Sequence, residues 1–149
     1  MSEESSESGG NILHIVLIED QDVDKIMIEQ AFSMLDYPVI LHIYSDGDEA
    51  IKEIRASATV LKPDLVITDL RMPNKTGNEF IREIKAIEGL DDVPVAILSG
   101  FTEEFVKMEP DLRKDVVALM GKQELYSDFP KFLEEIKGLC SQIKTDLAH

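Results

Sequence analysis

Five short apolar runs, each stopped by polar or turn-forming residues, set the rhythm of this chain: Ile12–Ile18, Val39–Tyr44, Leu65–Thr68, Pro94–Leu98 and Val116–Met120. The third is the clearest. Leu65 to Thr68 is continuous and β-branched, with Pro63 before it and Pro73 after it, the pattern of a strand buried on both faces of a sheet. Between the runs, apolar residues recur at helical spacing. Val23, Met27, Ala31 and Leu35 predict a helix that starts at about Asp22, its N-cap, and stops before Tyr37-Pro38. Ala50, Ile51 and Ile54 mark a second helix after the Asp46-Gly47 turn, fading by Leu61-Lys62-Pro63. Thr76 and Glu79 have capping-box spacing ahead of Phe80, Ile81, Ile84 and Ile87, and Gly89 marks that helix's end. Thr102 caps a short acidic helix, Glu103 to Glu109, which Pro110 ends or bends. Phe129, Phe132, Leu133, Ile136, Leu139, Cys140 and Ile143 share one face of a last helix.

Strands alternating with helices predict an α/β fold, a parallel sheet covered on both faces. Right-handed crossovers favour the flavodoxin-like, doubly wound (βα)5 arrangement with strand order 2-1-3-4-5. The polar stretch 1–11 is expected to be a disordered tail and 12–149 a single domain, with neither an internal repeat nor a linker.

Composition narrows the partners. Among 149 residues, 30 are acidic and 15 basic, a net charge of −15. Such a chain is unsuited to a nucleic-acid backbone or an anionic membrane surface, both of which call for Lys and Arg. It has neither an apolar run long enough to span a bilayer nor a signal peptide's charged and apolar regions, so a cytoplasmic location is expected. The single cysteine, Cys140, falls on an apolar stripe and reads as a buried thiol. His14, inside the first strand, reads as a structural histidine.

The chemistry lies where the strands stop. Glu19-Asp20, Asp69, Ser99 and Lys122 end the first, third, fourth and fifth strands. In a parallel sheet these ends share one edge, the edge where open α/β sheets bind ligands. Crowded carboxylates repel by several kcal/mol at protein dielectric. The trio therefore calls for a hard cation, and Mg²⁺ suits a site of few carboxylates and retained waters. A carboxylate, a divalent metal, a lysine and a hydroxyl together suit phosphoryl transfer to the carboxylate.

The ordered set Glu19-Asp20, Asp69 with Met72-Pro73 and Gly77, Ser99 and Lys122 resembles a response-regulator receiver domain of two-component signalling, of the CheY-like superfamily, over about Ile12 to Ile143. The resemblance implies that Asp69 is the phosphoacceptor. It implies that Asp20 and Asp69 hold Mg²⁺ directly, Glu19 through water and Arg71 through its backbone carbonyl. Ser99 takes the switch hydroxyl position and Lys122 that of the phosphoryl-contacting lysine. Arg71 and Phe101 flank the path by which water reaches the aspartyl phosphate, so they are expected to tune its lifetime.

The implied partner is a histidine kinase or a histidine phosphotransfer protein. A stand-alone receiver passes its signal on by protein contact, to a downstream protein the sequence does not name, and is a monomer or a weak dimer through the fourth helix, fifth strand and fifth helix. Phe101, Phe105 and Val106 offer apolar contacts there. It is no enzyme in the ordinary sense, catalysing only its own phosphorylation and slow dephosphorylation. Two positions depart from the pattern: Gln123 follows the lysine where proline is usual, and Leu119 stands where a switch aromatic is usual. These keep open a receiver-like docking module that is never phosphorylated. A flavin protein would need a Ser/Thr/Gly-rich loop where this chain has Glu-Asp-Gln-Asp. A haloacid-dehalogenase-like phosphatase would need a second Asp where it has Arg71.

Overall fold

A computed structural model describes residues 12–56, 62–72, 75–100 and 102–147. The tail, Leu61, Pro73, Asn74 and Phe101 lie outside the described residues. The apolar runs form five strands: β1 (Leu13–Ile18), β2 (Val39–Tyr44), β3 (Leu65–Thr68), β4 (Val95–Ser99) and β5 (Val116–Gly121). All neighbours are parallel, in the order β2-β1-β3-β4-β5 expected from the alternation.

Alternate residues of each strand feed two cores. Leu13, Ile15 and Leu17 of β1 pack with Ile28, Ala31 and Phe32 of α1 (Asp22–Ser33) and with Phe132, Ile136, Leu139 and Cys140 of the last helix, α6 (Phe129–Leu147). Val16 and Ile18 face the other way, onto Ala50 and Ile54 of α2 (Gly47–Ala56) and Phe80, Ile81 and Ile84 of α3 (Gly77–Lys85). Cys140 is buried as expected, and burial pushes its thiol up to about 11. His14 is satisfied: its Nδ1 lies 3.1 Å from Nε2 of His42 on β2, an N–H···N bond in which one ring donates and the other accepts.

The helices depart from expectation in three places. Gln21, not Asp22, is the N-cap of α1, and Asp22 is already helical. Val23 is 62% exposed, while Ile28 and Phe32 take the inner face with Ala31. A strict four-residue spacing overshoots a 3.6-residue turn by about 40° at each step, so the first member of such a row leaves the face the later ones share. Pro110 does not end a helix. The chain forms a 3-10 turn (Thr102–Lys107), then α4 (Pro110–Arg113) with Glu109 as N-cap and Pro110 at the first helical position. There a missing N–H costs nothing and the fixed φ suits the helix. A four-residue helix, α5 (Glu124–Ser127), also precedes α6. The box at the start of α3 is present in full: Thr76 accepts from the Glu79 N–H, and the Glu79 carboxylate from the Thr76 N–H. Gly89, with φ +88°, lies beyond the Ala86 C-cap, in the turn that follows.

Candidate functional site

Register brings the charged residues together. Ile18 pairs with Thr68, so Glu19 and Asp69 leave the sheet side by side. Ser99 pairs with Gly121, which puts Lys122 one step past the same edge. The Lys122 N–H donates to the Ser99 carbonyl at 2.9 Å, and the Glu19 N–H to the Tyr44 carbonyl at 3.0 Å, extending the ladders into the site.

Asp69 is held by its own turn. Its Oδ1 accepts the N–H groups of Leu70 (2.7 Å) and Arg71 (3.1 Å), the Asx geometry by which an aspartate rebuilds a turn. Oδ2 faces Lys122 Nζ at 3.3 Å. Gly77 fixes the loop from below. A Cβ there would stand 2.7 Å from Leu70 Cα and 2.8 Å from the Asp69 carbonyl, and the Gly77 N–H bonds the Leu70 carbonyl at 3.0 Å. Only a residue without a side chain lets α3 begin so close to the Asp69 turn.

Lys122 gathers three carboxylates. Its Nζ lies 2.7 and 2.8 Å from the two oxygens of Glu19, 3.2 Å from Asp24 Oδ2 and 3.3 Å from Asp69 Oδ2. The Glu19 side chain is 1% exposed, and those of Lys122, Asp24 and Asp69 are each 14% exposed. Burial works against the ammonium, but the Glu19 hydrogen bond, the charges of Glu19 and Asp69 and the Asp24 bond outweigh it and hold its pKa above the ordinary lysine value. Burial raises the Glu19 pKa, against the hydrogen bonds from Lys122 and the Gln21 N–H.

The structure thus brings together Glu19, Asp20, Asp69, Ser99 and Lys122, with Ser99 buried at the end of β4 and Asp20 exposed at the rim. Arg71 is exposed beside Asp69. Two residues were missed. Asp24, one turn into α1, is the third carboxylate on Lys122, and the Tyr126 hydroxyl donates to its Oδ1. That bond pushes Tyr126 up to about 12. The available signals were spacing alone: Asp24 follows Asp20 by one helical turn, and Tyr126 follows Lys122 by one.

A cavity of about 500 Å³ opens over this edge, between Asp20, Asp69, Arg71 and Lys122. Asp20 and Asp69 supply carboxylate oxygens to this cavity, where Lys122 and Arg71 also stand, while Glu19 and Asp24 hold Lys122. Among the described residues, no three His, Cys, Asp or Glu side chains converge tightly enough to hold a metal by themselves. Hard oxygen donors in small number fit Mg²⁺, which keeps several waters and takes one or two carboxylates. A more apolar groove of about 420 Å³ runs between β5 and α6, beside Leu119, Leu139 and Ile143, away from these convergent charges. Among the described residues, no helix is long and apolar enough to cross a membrane.

The sequence profile of the response regulator receiver domain matches residues 15–117. The chain is 30% identical over 129 residues to the probable methanogenesis regulatory protein FilR2 of Methanothrix harundinacea, covering 83% of this chain and 80% of that protein. It is 29% identical over 109 residues to the two-component response regulator ARR15 of Arabidopsis thaliana, covering 67% of this chain and about half (51%) of that protein. The crystal structure of the phosphorylated cyanobacterial phytochrome response regulator RcpA superposes with a TM-score of 0.69 at 29% identity, over 85% of this chain and 90% of that one. The chain belongs to the receiver domain family of two-component response regulators.

Proposed function

From that membership we propose that the chain is a phosphoacceptor: Asp69 takes a phosphoryl group from a histidine kinase or a histidine phosphotransfer protein. The observation that carries this reading is Asp69 itself, with Oδ1 tied down by two backbone N–H groups and Oδ2 turned to Lys122 beside the cavity. Oδ2 attacks phosphorus as the P–N bond to the donor histidine breaks. The Asx turn fixes the attack direction, which is where positioning contributes. Lys122 supplies positive charge to the phosphoryl oxygens. Asp20, Asp69 and the Arg71 carbonyl would hold Mg²⁺, with Glu19 acting through water. Bound there, the ion neutralises charge on the phosphoryl oxygens. Ser99, at the end of β4, responds to the new charge, and Arg71 at the rim tunes how long the phosphoryl group persists, a role shared with Phe101. Output is a contact with another protein, consistent with the acidic surface. The reading includes a cytoplasmic location, where such a phosphoryl donor would meet the chain.

The test is incubation with acetyl phosphate and Mg²⁺ followed by intact mass. The wild type gains one phosphoryl group and Asp69→Asn gains none. Uptake by Asp69→Asn at the wild-type rate would overturn the assignment.

A further inference from the structure

Lys122 has three N–H donors, and in this structure they serve Glu19, Asp24 and Asp69. A phosphoryl group on Asp69 takes over the donor that Oδ2 held, replaces one carboxylate charge by about −1.5 to −2 and brings further acceptor oxygens. Lys122 is therefore drawn toward it and away from the partner it holds least tightly. Glu19 is the least able to leave. It is the nearest, at 2.7 and 2.8 Å, and its side chain is 1% exposed, where loss of a counter-ion is most unfavourable. Asp24 lies farther off, at 3.2 Å, on the first turn of α1, with a second partner in Tyr126. It would also face the new phosphoryl charge across the ammonium that had separated them, and like charges at such range repel by several kcal/mol at protein dielectric.

Tyr126 is placed to report the change. It sits on α5, four residues after Lys122; the residue is 55% exposed while its hydroxyl is bound to Asp24. On β5, Leu119 is 41% exposed and its side chain carries no hydrogen-bonding group to couple to the site.

We propose that Asp24 and Tyr126 form the conformational relay of this receiver: phosphorylation draws Lys122 off Asp24, Asp24 swings outward, and Tyr126 is released from it, reshaping the surface where α1 meets α5. The relay rests on the reading of Asp69 as phosphoacceptor. Asp24 is a positioning residue in this scheme, holding the lysine back until the phosphoryl group arrives.

The chain has three tyrosines and no tryptophan, so ring-labelled tyrosine gives a spectrum simple enough to read, with Tyr126→Phe assigning its line. Acetyl phosphate and Mg²⁺ are added, and intact mass is measured on the same sample. In the wild type the Tyr126 resonance moves as phosphoryl mass appears. Asp24→Asn takes up phosphoryl several-fold faster, because Lys122 is shared by fewer carboxylates, and its Tyr126 line no longer responds. Tyr126→Phe is phosphorylated at the wild-type rate, which shows that the ring lies downstream of the chemistry. A stationary Tyr126 line in protein carrying phosphoryl on Asp69 overturns the relay and leaves the phosphoacceptor standing. A line that moves fully with Mg²⁺ alone also overturns it, since metal and not phosphoryl would then release Asp24. Absence of phosphoryl mass on the wild type removes the phosphoacceptor and the relay together.

Discussion

Replacing Lys122 with methionine keeps the apolar stem and removes the one charge that three carboxylates share. The closest contact, 2.7 Å to Glu19, corresponds to about 6 kcal/mol of Coulomb attraction at an effective dielectric of about 20. Most of that is offset by the desolvation both groups underwent on folding. What the substitution exposes is the other half of the balance, a carboxylate 1% exposed with no counter-ion, and breaking a buried pair in this way costs about 3–5 kcal/mol. For a domain of this size that lowers the melting temperature by on the order of 10 °C.

The pH dependence has a definite sign. Glu19 has a folded pKa above its ordinary 4.5, first because it is buried, and losing Lys122 moves it further up. An acid raised in the folded state weakens the fold at pH above its folded pKa, and the penalty fades as pH falls toward the unfolded value. Lys122 in the wild type has a folded pKa above 10.5, so its charge is complete across that window. The gap between wild type and Lys122→Met is therefore largest at neutral pH and narrows in mild acid. Urea unfolding without added Mg²⁺, at both pH values, measures it. The double variant Lys122→Met, Glu19→Gln should regain most of the loss, because the uncompensated charge is gone. A loss under about 1 kcal/mol at neutral pH, or one that neither shrinks in acid nor recovers with Glu19→Gln, refutes this account.

Three further substitutions probe the frame. Gly77→Ala drives a Cβ to 2.7 Å from Leu70 Cα; it should cost about 1–3 kcal/mol and slow phosphoryl uptake on Asp69, and unchanged urea midpoint and uptake would refute the close packing. Thr76→Ala removes the α3 cap and should cost about 1 kcal/mol in the same unfolding assay. His42 is held below its ordinary 6.5, chiefly by burial and then by the charge of His14; as a base with a lowered folded pKa, it stabilises the fold above that ordinary value and less as pH falls through its folded pKa. The wild-type melting temperature should therefore drop more steeply below neutral pH than that of His42→Phe, and equal slopes would refute it.

Much of the site was legible because strand ends obey a simple rule. In a parallel sheet Glu19, Asp69, Ser99 and Lys122 must reach one edge, whatever the loops do, and the observed register puts them there. Asp24 was hidden because an acidic residue on a helix's first turn ordinarily faces water. Its direction depends on how α1 sits over the sheet edge, which no local pattern encodes. Tyr126 was hidden for the same reason, on a helix of only four residues. Pro110 was misread because proline ends one helix and opens another with equal ease, and only the packing of Leu112 and Met108 into the core decides which.

The crossing from β4 to β5 is fastened from outside. Arg82 of α3 reaches Glu109 and Asp111 at the foot of α4, all three about half exposed or more. Arg113 donates Nε to the Met108 carbonyl at 3.2 Å and Nη2 to the Val106 carbonyl at 2.6 Å, and lies over the Phe105 ring. Phe105 is partly buried against the core while Val106 is exposed. Exposed ion pairs contribute little each and are screened over about a Debye length, and 3-10 hydrogen bonds are poorly aligned. Inside, the buried side chains between 105 and 113 are those of Met108 and Leu112, so the stretch is expected to open locally at a lower free energy than the sheet, with ionic strength acting on its Arg82 pairs. Added salt should therefore quicken amide exchange between 105 and 113 while β1 and β3 stay protected, and exchange that does not respond to salt would refute it.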